Sequence, residues 1–172
     1  MNRIVATLVM VFALSFLSCG GNDKSPTAPG GWTVILDSHE AGSWQAARVH
    51  DALFTDGEFS ATGSSGLGEW RSKRLDLSPF REARLRCRMT RPMCETNGYV
   101  YVFFESNVPG TRDLSVVTAP PPLAVADSSF DVSLENGLGW REASVFVHLE
   151  GGWSYGGNQR VSVADLQVVG KR

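Results

Sequence analysis

Residues 83 to 90 alternate without a break, Leu85, Cys87 and Met89 on one side and Arg84, Arg86 and Arg88 on the other. A period of two fits a half-buried strand and does not fit a helix. The pattern recurs along the chain. Phe130, Val132 and Leu134 alternate with Asp131 and Ser133, and Ala143, Val145, Val147 and Leu149 alternate with Ser144, Phe146, His148 and Glu150. Residues 99 to 104 form a β-branched and aromatic run. Val161 and Val163 open a last strand that Leu166 and Val168 continue on the opposite parity, the change that a β-bulge at Ala164-Asp165 produces. Shorter candidates are residues 33 to 37, 46 to 54, 58 to 61, 69 to 75 and 113 to 117.

The punctuation agrees with strands. Asp56-Gly57, Asn97-Gly98 and Asn136-Gly137 each lie between candidates, and such pairs supply the positive φ of a tight hairpin turn. Pro120-Pro121-Pro122 forbids a central strand there. No segment keeps a helical apolar stripe. About nine strands, with turns roughly every 8 to 12 residues, predict an all-β chain folded as a two-sheet antiparallel β-sandwich. A two-residue turn at Asn136-Gly137 would set Asp131 opposite Glu142. Like charges repel there, so either the two share a cation or the strands pair differently.

With 172 residues the chain has room for one ordinary domain. Its formal net charge is −2, which excludes nucleic-acid binding driven by bulk positive charge. A hydrophobic fraction of 42% excludes a disordered chain, and three cysteines are too few for a miniprotein built on disulfides.

The N-terminus reads as an address. Asn2 and Arg3 form a short polar, cationic head, and residues 4 to 17, IVATLVMVFALSFL, are apolar. That run is the core of a secretory signal and falls short of the roughly 20 residues of a spanning helix. The junction Phe16-Leu17-Ser18-Cys19 resembles the lipobox of bacterial lipoproteins, with Phe16 in place of the usual leucine. The resemblance implies cleavage before Cys19, lipid attachment at that cysteine, and, since Gly20 follows it, sorting to the outer membrane. More than one acyl chain makes such an anchor stable. Residues 20 to 31 are small and polar and read as a flexible tether. The expected organisation is a signal peptide over 1–18, a lipidated cysteine and tether over 19–31, and a β-sandwich over 32–172.

Five segments carry a second resemblance: SKRLDLSPF, RLRCRM, GYVYVFF, WREASVFVHLE and RVSVADLQVVG, in that order. Their spacing is similar to jelly-roll domains of the galactose-binding-like and carbohydrate-binding-module class. It implies a jelly-roll sandwich and a carbohydrate or other extracellular ligand. In such domains, carboxylates near the first strand and on the closing strand hold a structural calcium, which here would fall to Asp37, Glu40 and Asp165.

Candidate site residues were sought on chemistry. Cys87 and Cys94 lie close enough in sequence to form a disulfide in an oxidising compartment, or they stay as two thiols with Cys87 in the core. Arg84, Arg86 and Arg88 share a face, as do Tyr99, Tyr101 and Phe103 on the next strand. Placed side by side they would form a ligand-binding platform, and otherwise the arginine stems cover apolar surface. Trp153 and Tyr155 sit between glycine pairs in the loop EGGWSYGGNQ, as recognition rings or as a lid on the core. Nucleophile elbows, zinc motifs and phosphate loops are absent from the sequence, so no enzyme is expected. The reading is a surface-anchored, non-catalytic module for a glycan or another extracellular ligand. Its rival is a structural envelope lipoprotein that contacts other proteins.

Overall fold

The computed structural model describes residues 27–28, 30–92, 94–106, 114–119, 125–134 and 142–172. Within them the alternating segments are strands. In chain order these are β1 (Thr27–Ala28), β2 (Trp32–Asp37), β3 (Trp44–His50), β4 (Ala52–Thr55), β5 (Glu58–Thr62), β6 (Leu67–Ser72) and β7 (Leu75–Asp76). Then come β8 (Glu82–Arg91), β9 (Thr96–Ser106), β10 (Leu114–Ala119), β11 (Val125–Ser133), β12 (Glu142–Ser154) and β13 (Gly157–Lys171). A single turn of 3-10 helix, Ala41–Ser43, leads into β3.

Two antiparallel sheets are built around the two longest strands. In the rear sheet, β8 runs along one edge of β13, while β5 and β2 share the other edge. Strands β11, β4 and β1 lie outside β8, β5 and β2. In the front sheet, β9 runs along β12, β6 and β7 share its other edge, and β10 and β3 flank them. The hairpin between β12 and β13, with Trp153 opposite Asn158, joins the sheets. Inward side chains from both make one core. Val100, Val102, Val145, Val147 and Leu149 of the front sheet meet Leu85, Met89, Val161, Val163 and Leu166 of the rear. This is the expected two-sheet antiparallel sandwich. Aromatic rings close one end: Phe59 lies 4.7 Å from Trp44 and 5.3 Å from Trp70, and stacks on Phe54 at 4.3 Å. Gly68 is required beneath them, because a Cβ there would collide with the Trp70 ring.

Local chemistry explains the irregular points. Asp56 (φ 50°) and Gly57 (φ 77°) form the expected two-residue turn, pairing Thr55 with Glu58. The bulge in β13 is present, with a register shift between Ala164 and Gln167 and Asp165 at φ 52°. It returns Leu166 and Val168 to the core after Val161 and Val163, which are all fully buried.

One expected turn needs correction, and one open alternative is decided. Asn97 (φ 56°) and Gly98 (φ 79°) have the left-handed backbone expected, but they kink the start of β9 and make no hairpin with β8. Strands β8 and β9 belong to opposite sheets. Asp131 and Glu142 are also in opposite sheets, Asp131 opposite Arg86 and Glu142 opposite Asp76, so the alternative of different pairing holds. Thr27 and Ala28 pair with Thr33 and Trp32 across Gly30-Gly31. Cys19, Pro120-Pro121-Pro122 and Asn136-Gly137 lie outside the described residues.

Candidate functional site: the outer face of the front sheet

Side chains of opposite parity to the core must point outward, and on the front sheet these are largely aromatic and charged. The register sets them in three rows across the strands. Tyr99, Glu150, Leu67 and His50 form one row, and Tyr101, His148, Glu69 and Arg48 the next. Phe103, Phe146, Arg71 and Gln45 form the third. Directly opposite side chains in such rows touch.

The rings fall in two groups along neighbouring rows of one strip. Tyr99 and Tyr101 lie 5.8 Å apart and within 13° of parallel. Tyr101 contacts the His148 ring at 5.6 Å, and Phe103 lies 4.8 Å from Phe146. Partial burial, then the neighbouring Tyr99 and Glu150, push the Tyr101 hydroxyl above its ordinary range, so it stays protonated as a donor.

Polar groups border the strip. His148 is only 19% exposed, and each ring nitrogen faces a carboxylate, Nδ1 to Glu69 at 3.1 Å and Nε2 to Glu150 at 3.2 Å. That double contact fixes the imidazole plane beside Tyr101. Arg71 Nη2 lies 2.6 Å from both Glu105 carboxylate oxygens, with its guanidinium carbon 6.0 Å above the centre of the Phe146 ring. Flat apolar surface bordered by fixed acceptors and donors suits a ligand with an apolar face and a hydroxyl-bearing edge.

The structure separates residues that the sequence suggested would converge. Arg84, Arg86 and Arg88 are on the rear sheet, and Tyr99 and Tyr101 are on the front, so no joint platform exists. The reason is the change of sheet between β8 and β9. The arginines are also engaged by other groups. Arg84 and Arg86 bind Asp131 at 3.0 and 3.2 Å and lie over the Trp32 ring at 5.6 and 5.8 Å. Glu82 and Asp131 raise the Arg84 pKa further. Arg88 lies 3.4 Å from Asp165.

Trp153 and Tyr155 are on the β12–β13 hairpin, 37% and 91% exposed, with ring centroids 5.9 Å apart. They are no lid on the core. Among the described residues no ring contact joins them to Tyr99 or Tyr101.

Cys87 and Cys94 are separate thiols. Cys87 faces the core at mid-β8, and four residues of strand, about 13 Å, carry the chain from it to Arg91. Cys94 packs beyond that point against Gly98 and Gly152, with Sγ 3.3 Å from the Pro92 carbonyl. A disulfide needs the two Cα atoms within about 7 Å. Burial pushes the Cys87 thiol up to about 12 and raises that of Cys94, where Arg91 opposes the rise.

The expected calcium ligands do not converge either. Asp37 accepts from the His39 N–H and from Gln167 Nε2, Glu40 binds Ser43 and Lys73, and Asp165 meets Arg88 and His39. No cluster of three metal-ligating side chains occurs among the described residues.

No protein-family model and no curated protein sequence matches the chain. Among solved structures it is similar to a mutant of a family 29 carbohydrate-binding module, at 15% identity and a TM-score of 0.45 over 81% of this chain and 91% of that one. It is similar to the second N-terminal cellulose-binding domain of Cellulomonas fimi β-1,4-glucanase C, at 13% identity and 0.47 over 81% and 95%. A CBM4 structure matches at 12% identity and 0.46 over 81% and 86%. At these identities the ligand of this chain has to be read from its own side chains.

Sequence reasoning singled out Tyr99 and Tyr101 but not His148, Glu69, Glu150, Arg71 or Phe146. The outward positions of β12 were legible from its alternation. Their neighbours on β6 and β9 were not, because those contacts span 34 to 79 residues of chain.

Proposed function

We propose that this chain is a lipid-anchored, non-catalytic binding module of a bacterial envelope, and that it takes a neutral glycan on the outer face of its front sheet. The observation that carries the reading is the row of Tyr101, His148 and Glu69, flanked by the stacked Tyr99 and by Glu150. Sugar rings present C–H faces that pack on aromatic rings and hydroxyls that donate to carboxylates. Glu69, Glu105 and Glu150 lie next to the rings, Arg71 is already met by Glu105, and Arg48 stands at the far end of its row on β3, an arrangement that favours hydroxyl donors over uronate or sulfate groups at the rings. Glu69 and Glu150 are engaged in holding the imidazole, and that supports binding over acid–base chemistry. The anchor rests on Cys19 and the lipobox-like junction before it, and the outer-membrane location on Gly20.

The test is isothermal titration of the full-length protein in detergent with hexasaccharides of glucose, mannose and xylose. A tyrosine ring that covers about 70 Å² of sugar contributes about 2 kcal/mol, or about 30-fold in affinity. Tyr101→Ala should therefore lose about that factor while the folded state persists. Absence of binding by all three sugars, or equal affinity in wild type and variant, would overturn the reading.

A further inference from the structure

The pole formed by the β12–β13 hairpin carries a second feature that the tyrosine strip does not use. A depression of about 630 Å³ lies beside it, lined by Asp51, Leu53, Ser60, Thr62, Asn158 and Arg160. That volume is within the range of small-molecule sites. Backbone bonds fix its rim. Asp51 (φ 48°) separates β3 from β4, and Gly63 (φ 76°) ends β5. The Thr62 N–H donates to the Asp51 carbonyl at 3.0 Å, and the Gly63 N–H to the Gln159 carbonyl at 3.1 Å. Ser65 Oγ donates to Asp51 Oδ2 at 3.2 Å, and Glu58 holds Arg160 at 3.1 Å. Leu53 is 67% exposed on one wall.

The hairpin adds rings to this polar set. Trp153 pairs directly with Asn158, a residue of the lining, which places the two side chains on one face of the hairpin. Tyr155 leans on Trp153. The tip is ordered by its own side chains, since Ser154 Oγ accepts from the Gly156 N–H at 3.3 Å and from Gln159 Nε2 at 3.1 Å. Exposed aromatics held in place beforehand are the groups that recognition surfaces use. Residues 151 to 159 carry no charge.

We propose that this pole is a second saccharide site, separate from the front face, which takes a short neutral sugar or the end of a chain. Asp51 accepts from sugar hydroxyls, and Asn158 and Arg160 donate to ring and hydroxyl oxygens. Leu53 supplies the apolar surface of the depression, and a sugar that extends past Asn158 reaches the Trp153 ring. The Arg160 charge is already met by Glu58, so an anionic sugar gains little there. The site does not depend on the front-face reading. Two sites on one module would hold a polysaccharide at two points and raise its residence on the chain.

The experiment is titration of the full-length protein in detergent with trisaccharides of glucose, mannose and xylose, each too short to span both sites. Wild type, Tyr101→Ala and the double variant Asn158→Ala/Arg160→Ala are compared, each with its thermal midpoint measured. The expected result is that Tyr101→Ala still takes up a trisaccharide at one site and that the double variant loses that uptake by about 10-fold or more. Loss of all uptake in Tyr101→Ala, or unchanged uptake in the double variant, would overturn the second site. So would no uptake by any protein, or a self-association of the wild type that the double variant lacks. If Tyr101→Ala has no effect and the double variant abolishes uptake, the front-face reading fails and the polar site stands.

Discussion

Tyr101 and Cys87 show how one residue's surroundings set its role. Tyr101 is outward, stacked beside Tyr99 and against a fixed imidazole, and its loss removes ring surface from the outer face without opening the core. Tyr101→Ala should keep the thermal midpoint within a few degrees, which differential scanning calorimetry checks; collapse of the fold would show that the ring is structural. Cys87 is buried, and burial moves its thiol from the ordinary 9.0 to about 12. Above pH 9 the unfolded chain releases this proton and the folded chain keeps it. The stabilisation is therefore full below pH 9 and lost as the pH rises to about 12. At about 1.4 kcal/mol per pH unit the loss is about 4 kcal/mol. Denaturant titrations of wild type and Cys87→Val should diverge by about that amount between pH 9 and 12. A Cys87 held in a disulfide has no proton to release and would give parallel curves.

At the scale of elements, strands were legible because the period of two lies in local sequence, and the bulge was legible because Val163 and Leu166 change parity. Sheet membership was not. The chain changes sheet between β8 and β9, and again between β11 and β12. Residues adjacent in sequence order, such as Arg88 and Tyr99, thereby end on opposite sides of the sandwich. No local pattern encodes that choice, which is made by which inner faces pack. The bulge itself gives a prediction. Asp165 at φ 52° tolerates a left-handed backbone that a β-branched residue resists. Asp165→Val should cost about 1–2 kcal/mol or more in chemical denaturation, and Asp165→Gly should stay within about 1 kcal/mol of wild type. Equal losses would point instead to the contacts of Asp165 with Arg88 and His39. On the hairpin, Trp153→Ala should leave the midpoint within a few degrees. A loss of about 3–5 kcal/mol, typical of a buried tryptophan, would contradict the exposed position of the ring.

For the whole molecule, β13 spans the sandwich from the start of β2 to the hairpin pole. Strand β2 pairs with β13 as far as Gly170, and the hairpin closes at Gly157. About 40 Å of strand lies between those points at 3.3 Å per residue. The hairpin pole thus lies at the end of the sandwich opposite the start of β2. Intact-mass analysis of the membrane fraction should find acyl mass on the wild type and none on Cys19→Ala; an unacylated wild type would remove the anchor from the account. The central claim is that the front face binds a neutral glycan. Chemical-shift mapping of the full-length protein in micelles with a bound hexasaccharide tests it most directly. The account predicts that the ring signals of Tyr99, Tyr101, Phe103, Phe146 and His148 move in a saturable way, while those of the Trp32 ring and the Arg84 guanidinium on the rear sheet do not. Shifts at Trp32 and Arg84 with a silent front face would contradict it.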